Sequence, residues 1–192
     1  MSQQTNPVII FVRGLPGSGK SHLTSKLVDD LDSQNTIVLD PDTINFRSEE
    51  YLQFTSTLSA DGVDKQLHPY RFLRDKAYKG IENSQLIIWN QPFTNLEIFR
   101  KMVGRLKDHA KDNDKTLGML LVEVNIDRPT AKQRINERKK AGGHGPSEDT
   151  FNRFHDDYVS FAGEGIKTVS VDGSDEINKS VKTVVQAIQD IQ

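Results

Sequence analysis

The chain of 192 residues contains no cysteine. Disulfide frameworks, thiolate metal sites and cysteine nucleophiles are therefore excluded. Long apolar runs are also missing, since no stretch approaches the ~20 residues that a membrane-spanning helix needs. The first residues, MSQQTNPV, lack the charged and then apolar pattern of a secretory signal peptide. We therefore expect a soluble protein of the cytoplasm that has no membrane partner.

An excess of charge of either sign is lacking too, because 25 Lys and Arg are balanced by 27 Asp and Glu, for a formal net charge of −2. Broad attraction to nucleic acid needs a basic surface. Nucleic acid is therefore not the favoured partner, although a local basic groove is compatible with this balance. The chain has no internal repeat, low-complexity tract or linker, and its length suits one domain with a sizeable core. We expect a single domain over residues 1–192.

What the chain does contain is a regular alternation of apolar runs and helical patterns. Five short runs rich in Val, Ile and Leu are apolar on both faces, which is typical of parallel strands. The predicted strands are Val8–Arg13, Thr36–Asp40, Gln85–Asn90, Leu117–Asn125 and Lys167–Asp172. The predicted helices are Gly19–Leu31, about Pro69–Glu82, Asn95–Asp112, Pro129–Lys139, Ser147–Phe161 and Asp175–Gln192. This order predicts an α/β fold with a doubly wound parallel sheet and helices on both of its faces.

One segment, Ser48–Pro69, does not follow this alternation. It fits no strand pattern and is only partly helical. We expect it to be an insertion over the edge of the sheet, where it could shape a pocket for a substrate.

The first predicted strand runs directly into GLPGSGKS, residues 14–21, and a predicted helix follows. A Gly-x-x-x-x-Gly-Lys-Ser pattern between a strand and a helix is the context of a phosphate-binding loop. Its glycines let backbone N–H groups surround the nucleotide phosphates, and the positive end of the helix points at the same anion. The residues expected to bind the nucleotide are Gly14, Pro16, Gly17, Ser18, Gly19, Lys20, Ser21 and His22.

Two of these side chains have specific expected contacts. Lys20 can reach the β- and γ-phosphate oxygens, and the Ser21 hydroxyl can ligate Mg²⁺. ATP and Mg²⁺ are therefore the expected cofactors. His22 and Thr24 follow on the helix, where packing or solvation explains them as well as phosphate contact does.

The marks of two other classes of phosphate-loop protein are missing. No late Asn-Lys-x-Asp motif, which GTPases use to read guanine, is present. The third predicted strand ends in IIWNQP, without the acidic pair of an ATPase motor. A small-molecule kinase needs instead a base that faces the acceptor hydroxyl, and arginines on a closing lid. The chain offers candidates for both.

Two carboxylates follow the second predicted strand, in IVLDPDTINFR, residues 37–47. In this class of sheet the carboxyl ends of the strands face the ligand crevice, so Asp42 is placed to take the proton of an attacking hydroxyl. The alternative is that DPDT is a turn in which Asp42 caps the next helix. For Asp42 the two interpretations are compatible, and for Asp40 the turn role is as well supported as contact with the acceptor.

A basic helical pattern is followed by a glycine-rich tip in RPTAKQRINERKKAGGHGP, residues 128–146. Pro129 suits the start of a helix, and Arg134 and Arg138, four residues apart, share one helix face. Arginine suits the clamping of a transferred phosphoryl group, and a two-helix flap with a glycine tip can close and exclude water. The alternative is an ordinary solvated basic helix.

GLPGSGKS, LDPDTINFR and VNIDRPTAKQRINERKKAGGHGPSEDTF…FHDDY together resemble the P-loop kinases of the zeta-toxin and polynucleotide-kinase type, a group of AAA-type kinases. The resemblance covers Val8 to Tyr158. It implies a P-loop NTPase fold with three layers, a five-stranded parallel sheet and a mobile helical lid, here about residues 129–161. The reaction it implies is transfer of the γ-phosphoryl group of ATP to a hydroxyl.

The resemblance also implies roles for individual residues. Asp42 would be the base, and Lys20 and Ser21 would be the phosphate and Mg²⁺ ligands. The remaining matched positions are Arg134 and Arg138 as lid arginines that clamp the phosphoryl group, Gly142, Gly143 and His144 as the lid tip, and Arg153 as a supporting lid residue. Asp40, Arg47 and Gln91 are expected to line the acceptor crevice.

The chain departs from this group after the third predicted strand. Relatives usually have an acidic residue and a threonine there, which contact the acceptor or the metal, whereas this chain has Trp89, Asn90, Gln91 and Pro92. Trp89, the only tryptophan, is either a core anchor or a stacking platform for a base or sugar. The departure concerns the acceptor side and leaves the ATP side intact.

The expected function is therefore an ATP-dependent kinase that phosphorylates a hydroxyl of a small molecule or nucleotide-type acceptor. A polynucleotide 5′-hydroxyl kinase and an ATP-binding module without phosphotransfer are the alternatives. No motif in the chain identifies the acceptor or a protein partner.

Overall fold

The computed structural model describes residues 6–31 and 34–191. The strands are β1 Val8–Gly14, β2 Thr36–Leu39, β3 Leu86–Asn90, β4 Gly118–Asn125 and β5 Lys167–Asp172. The helices are α1 Lys20–Asp30, α2 Glu49–Ala60, α3 His68–Glu82, α4 Leu96–Asp112, α5 Arg128–Lys140, α6 Glu148–Asp156 and α7 Ile177–Gln189, with single 3₁₀ turns at Pro41–Thr43 and Lys65–Leu67.

The five strands form one parallel sheet in the order β2-β3-β1-β4-β5. The central strand β1 is buried along its whole length. It pairs with β3 from Val8 opposite Leu86 and with β4 from Val8 opposite Gly118. The loop after β1 therefore emerges from the middle of the sheet, at the edge where all five carboxyl ends meet. The predicted α/β fold with a five-stranded parallel sheet is confirmed.

Helices cover both faces of the sheet, which gives the predicted three layers. On one face, Phe11 of β1 lies in an apolar core with Leu73 of α3 and Phe99 of α4. On the other face, Val12 lies in a second core with Leu27 of α1 and Val184 of α7. Successive residues of β1 point to opposite cores, which explains why this strand is apolar at every position rather than at every second one.

Trp89 belongs to the first of these cores. It is 2% exposed, and its ring lies 6.2 Å from that of Phe11 and 6.2 Å from that of Phe93. Its indole N–H donates to Oε1 of Gln91 at 3.2 Å. Of the two alternatives for this residue, the structure supports the core anchor.

The predicted helix over Ser147–Phe161 was too long, since α6 ends at Asp156. Phe161 is fully buried, but its backbone N–H donates to Oε1 of Glu123 on β4 at 2.7 Å instead of to a helical carbonyl. Helix α7 likewise begins two residues later than predicted, and the predicted end at Gln192 lies outside the described residues.

The segment Ser48–Pro69 is more helical than the sequence suggested. It contains the 12-residue helix α2, whose first turn is capped by the Ser48 hydroxyl, an acceptor from Tyr51 N at 3.2 Å. Tyr51 packs edge-on against Phe72 of α3, with ring centroids 5.1 Å apart.

None of the helices in the described part of the chain has both the length and the apolar character needed to cross a membrane.

Candidate active site

The loop between β1 and α1 has the backbone conformation that its glycines allow. Gly17 and Gly19 have φ angles of +86° and +99°, in the left-handed region that side chains other than glycine rarely adopt. A Cβ atom on Gly17 would lie 2.6 Å from the carbonyl oxygen of Ala131, so helix α5 touches the loop. Gly19 is the N-cap of α1, and it turns the loop into the positive end of that helix.

Lys20 begins α1, and its Nζ donates to the Leu15 carbonyl across the loop at 3.1 Å. The pKa of Lys20 is lowered to about 8, chiefly by burial, and the positive charge of Arg138 makes a smaller contribution in the same direction. The negative charges of Asp40 and Asp42 oppose this shift. The charges of Asp40, Asp42 and Arg138 therefore all act on Lys20 at the phosphate loop.

The DPDT sequence is a turn, as one of the two alternatives proposed. Asp40 caps the 3₁₀ turn that follows β2, because its Oδ1 accepts from Asp42 N at 2.8 Å. Asp42 therefore lies inside the turn, exposed, and the cap of the next helix is Ser48 instead. The turn is therefore confirmed, whereas the capping of the next helix by Asp42 is wrong, because Ser48 supplies that cap.

Asp40 itself is buried, at 8% exposure, and faces the strand next to it. Its Oδ2 accepts from Asn90 Nδ2 at 2.7 Å, and the same Nδ2 lies 3.2 Å from the Ser21 hydroxyl oxygen. Burial raises the pKa of Asp40, and the negative charge of Asp42 adds to this, while the Asp42 N–H, Asn90 and Lys20 act in the opposite direction. Asp40 thus lies toward the predicted metal ligand Ser21 rather than on an open surface.

Asn90 is a site residue to which sequence reasoning gave no role. It ends β3, which lies between β2 and β1 in the sheet, so its side chain falls between Asp40 and Ser21. Its Oδ1 is buried and has no hydrogen-bond partner among the described residues. The sequence does show a polar residue, Asn90, at the end of an apolar strand. Its contacts with Asp40 and Ser21 could not be predicted, because they depend on the order of the strands in the sheet.

The two lid arginines have different surroundings. Arg134 Nη1 donates to the carbonyl of Gly173, after β5, at 3.0 Å, and lies 3.5 Å from the Gly17 carbonyl. Arg138 lies one helical turn further along α5 and is exposed, and its guanidinium donates no hydrogen bond within the described part of the chain. Arg134 therefore attaches the lid helix to the loop, whereas Arg138 is available to a ligand.

Helices α5 and α6 form a unit with its own small core of Ala131, Ile135 and Phe151. Polar contacts join them further, among them a hydrogen bond from Arg128 of α5 to Asn152 of α6. Lys132 pairs with Glu148 at 2.6 Å, and Lys139 donates to the Pro146 carbonyl at 2.6 Å.

The glycine-rich tip lies between these helices. Gly142 has a φ of +82° and follows the end of α5, and Gly143 and His144 are exposed. Arg153 is exposed on α6. The tip is therefore exposed, while the two helices that flank it pack against each other.

A buried ion pair fastens one of these segments. Arg13, directly before the loop, is fully buried, and its Nη1 donates to Glu123 Oε1 at 2.6 Å and to the Val159 carbonyl at 2.8 Å. The guanidinium carbon lies 4.2 Å and 3.6 Å from the ring centroids of Tyr158 and Phe161. The chain that returns from the lid is therefore attached to β1 and β4 beside the phosphate loop.

Sequence reasoning missed this pair, although each residue is a charge near the end of an otherwise apolar strand. Arg13 and Glu123 are also cross-strand partners in the register of β1 and β4. They are neighbours because of strand order and register, which cannot be predicted from the sequence of either strand alone.

Glu123→Gln is expected to destabilise the protein by about 3 kcal/mol, because it leaves the Arg13 charge buried without a counter-charge. Urea denaturation followed by circular dichroism measures the change. Glu164→Gln is the matched control, since Glu164 also binds an arginine, Arg100, but on the surface. A similar, small loss of stability in both variants would show that the buried pair has no special importance.

The other predicted acceptor residues lie near the carboxyl end of the sheet. Arg47 is exposed after the 3₁₀ turn, and Gln91 is partly buried and accepts from Trp89. Phe46, 52% exposed, packs edge-on against Tyr51 of α2 at 5.2 Å. His22 is exposed on α1. The region around Asp42 thus combines an exposed aromatic ring with a cationic side chain.

The described residues include no group of three or more His, Cys, Asp and Glu side chains that could hold a metal ion by themselves.

Comparison with known families gives a match over most of the chain. Residues 9–160 match the family model described as an AAA domain. No curated protein sequence matches the chain significantly.

Several solved structures share the architecture. A candidate kinase from Chloroflexus aurantiacus J-10-fl is 17% identical, with a TM-score of 0.69 over 99% of this chain and 100% of that one. The PezAT toxin–antitoxin structure from Streptococcus pneumoniae is 13% identical, with a TM-score of 0.60 over 89% of this chain and 69% of that one. A gluconokinase from Sinorhizobium meliloti 1021 is 15% identical, with a TM-score of 0.56 over 95% of this chain and 91% of that one.

At identities this low, the structural likeness shows a shared fold and carries no substrate with it. The family match over residues 9–160 goes further, because it covers the strand, loop and lid that form the site. The chain belongs to the AAA domain family, and its fold is that of the P-loop kinases.

Proposed function

We propose that the protein is an ATP-dependent kinase that transfers the γ-phosphoryl group to a hydroxyl of a small molecule or nucleotide-type acceptor. The observation that carries this proposal is the cluster at the mouth of the loop. Asn90 links Asp40, which caps the turn that carries Asp42, to Ser21, and helix α5, which carries Arg138, lies against the loop at Gly17. A base, a phosphate ligand and a mobile arginine in one place are what phosphoryl transfer to a hydroxyl requires.

The ATP side is supported by the loop from Gly14 to Ser21. Its left-handed glycines turn backbone N–H groups inward, and the N-terminal end of α1 lies behind them. The Ser18 hydroxyl is buried without a hydrogen-bond partner among the described residues. In the proposed complex Lys20 leaves the Leu15 carbonyl and binds the β- and γ-phosphate oxygens.

The site also fits Mg²⁺. The exposed Ser21 hydroxyl is an oxygen ligand of the hard type that Mg²⁺ prefers, and the unpartnered Oδ1 of Asn90 next to it is an acceptor for a water that the ion carries. When bound, Mg²⁺ neutralises charge on the β- and γ-phosphates.

The proposed chemistry is an in-line displacement. The acceptor oxygen forms a bond to the γ-phosphorus, the bond from that phosphorus to the bridging oxygen breaks, and ADP leaves with the electron pair. Asp42 takes the proton of the hydroxyl. Lys20 and Arg138 balance the charge on the equatorial phosphoryl oxygens, which supplies most of the rate enhancement.

The acceptor is proposed to bind beside Asp42, between the lid and the lobe of α2 and α3. Phe46 and Arg47, which follow the 3₁₀ turn, and Gln91, which follows β3, are proposed to line this space. An exposed ring next to a guanidinium suits an acceptor that has both a planar or sugar face and an anionic group.

A second candidate, a polynucleotide 5′-hydroxyl kinase, is favoured by one cluster of arginines. Burial lowers the pKa of Arg74 on α3, and the positive charges of Arg105 on α4 and Arg71 lower it further. No carboxylate forms an ion pair with these three arginines in the described part of the chain. Such a cluster is typical of a surface that binds phosphate groups.

An ATP-consumption screen with mass-spectrometric detection of an added phosphate tests these proposals. The acceptors would be sugar acids, nucleosides, nucleotide sugars, aminoglycosides and oligonucleotides with a free 5′-hydroxyl. A phosphorylated product that Lys20→Ala no longer forms supports the kinase, and its identity decides between the two candidates. Magnesium-dependent ADP binding by calorimetry without any product would instead indicate a nucleotide-binding module.

A further inference from the structure

We propose that Asp40, at the end of β2, supplies the carboxylate of the Mg²⁺ site, and that Asn90 positions it. This inference rests on the proposed binding of ATP with Mg²⁺. The third strand, in IIWNQP, has no carboxylate at its end, where the resemblance to P-loop kinases implies one. The carboxylate is present in the site but comes from the neighbouring strand.

The first argument is the chain of contacts that leads to Ser21. Asn90 Nδ2 donates to Asp40 Oδ2 at 2.7 Å and lies 3.2 Å from Ser21 Oγ. One amide group therefore links the carboxylate to the predicted metal ligand. The strand order β2-β3-β1 creates this link, because β3 separates the strand that carries Asp40 from the strand that leads to Ser21.

The second argument is an unsatisfied atom. Asn90 is 4% exposed, and its Oδ1 has no hydrogen-bond partner in the described part of the chain. A buried carbonyl oxygen without a hydrogen-bond donor is energetically unfavourable. A water molecule bound to the metal ion would donate a hydrogen bond to Asn90 Oδ1. A hydrated cation therefore satisfies this atom.

The third argument distinguishes Asp40 from Asp42, the other carboxylate of the turn. Asp40 is held on both sides, since Oδ1 accepts from Asp42 N at 2.8 Å and Oδ2 accepts from Asn90. Asp42 is exposed, which suits contact with an incoming acceptor. A metal ligand must keep its orientation as nucleotides exchange, and hydrogen bonds from neighbouring groups provide this. Asp40 is therefore assigned to the metal ion and Asp42 to the acceptor hydroxyl.

The test is the effect of Mg²⁺ on ADP affinity, measured by calorimetry in excess MgCl₂ and again in EDTA. The ratio of the dissociation constant in EDTA to that in MgCl₂, here called the metal gain, should be about tenfold or more lower in Asp40→Asn than in wild type. The EDTA value should stay within about twofold of wild type, because the phosphate loop is untouched. Asp42→Asn is the matched control and should keep the metal gain. Electron paramagnetic resonance of Mn²⁺ with ADP should show the same order of affinities.

The exchange variant Asp40→Asn/Asn90→Asp gives the sharpest result. It moves the carboxylate to β3 and the amide to β2 while keeping both groups beside Ser21, so it should recover most of the metal gain. If Asp40→Asn does not fold by circular dichroism, this variant decides alone. A folded exchange variant without a metal gain would overturn the inference.

Failure of the inference and failure of the proposed function give different results. If wild type binds ADP with a metal gain and Asp40→Asn keeps it, Asp40 only caps its turn, while the proposed kinase stands. If wild type binds no ADP with or without Mg²⁺, the proposed function itself fails.

Discussion

Arg138→Ala is expected to lower kcat by about 10³-fold or more while leaving ADP affinity nearly unchanged. The Arg138 guanidinium donates no hydrogen bond within the described residues, yet its charge reaches Lys20 at the phosphate loop. We therefore propose that it binds the transferred phosphoryl group rather than supporting the fold. An interaction made chiefly in the transition state changes kcat and not ground-state binding. Steady-state kinetics with the acceptor found in the screen, together with calorimetry of ADP, measures both quantities.

Arg134→Ala is the matched control for this prediction, because it lies one turn earlier on the same helix. Arg134 donates to the Gly173 carbonyl and lies against the Gly17 carbonyl, so its loss should loosen the lid from the loop. We expect weaker ADP binding, by about tenfold, and a much smaller loss of kcat than in Arg138→Ala. The reverse order of the two kcat values would assign the phosphoryl clamp to Arg134.

Asp42→Asn is expected to lower kcat by about 10²- to 10⁴-fold, the range typical of removing a general base. Asparagine keeps the size of the side chain and the turn, whose cap is Asp40 and not Asp42. ADP and ATP should therefore bind as they do to wild type, and only proton transfer should fail. Single-turnover measurements with saturating acceptor separate the chemical step from binding.

The control for the second prediction is Asp61→Asn, an exposed aspartate at the end of α2 that lies outside the proposed site. It should leave kcat unchanged. An Asp42→Asn variant with wild-type turnover would remove the base assignment and leave Asp42 as a residue of the turn.

Much of the fold could be predicted from the sequence because the signals are local. The central strands are buried on both faces, so their apolar runs begin and end within a residue or so of the observed strands. The glycines of the phosphate loop are equally local, since each is required by the backbone angle at its own position. The end of α6 was wrong because Phe161 continues the helical pattern, while its N–H binds Glu123, 38 residues away in the chain.

The residues of the candidate site likewise fall into those that local motifs predict and those that depend on contacts between strands. Lys20, Asp42 and Arg138 could be named from motifs, because a phosphate loop, a carboxylate after a strand and arginines on a lid each have their own local pattern. Asn90 and the pair of Arg13 and Glu123 could not, since each acquires its meaning from a neighbour on another strand. The metal role proposed for Asp40 has the same origin.

By itself, the sequence determined the α/β alternation, the phosphate loop and the side chains available for chemistry, because hydrophobic periodicity and backbone freedom act over a few residues. Only the tertiary structure decided that Asp40 lies against Asn90 and Ser21, that Arg134 holds the lid while Arg138 stays exposed, and that Arg13 is neutralised by Glu123. These contacts depend on strand order and register, and many different orders would bury the same apolar runs equally well.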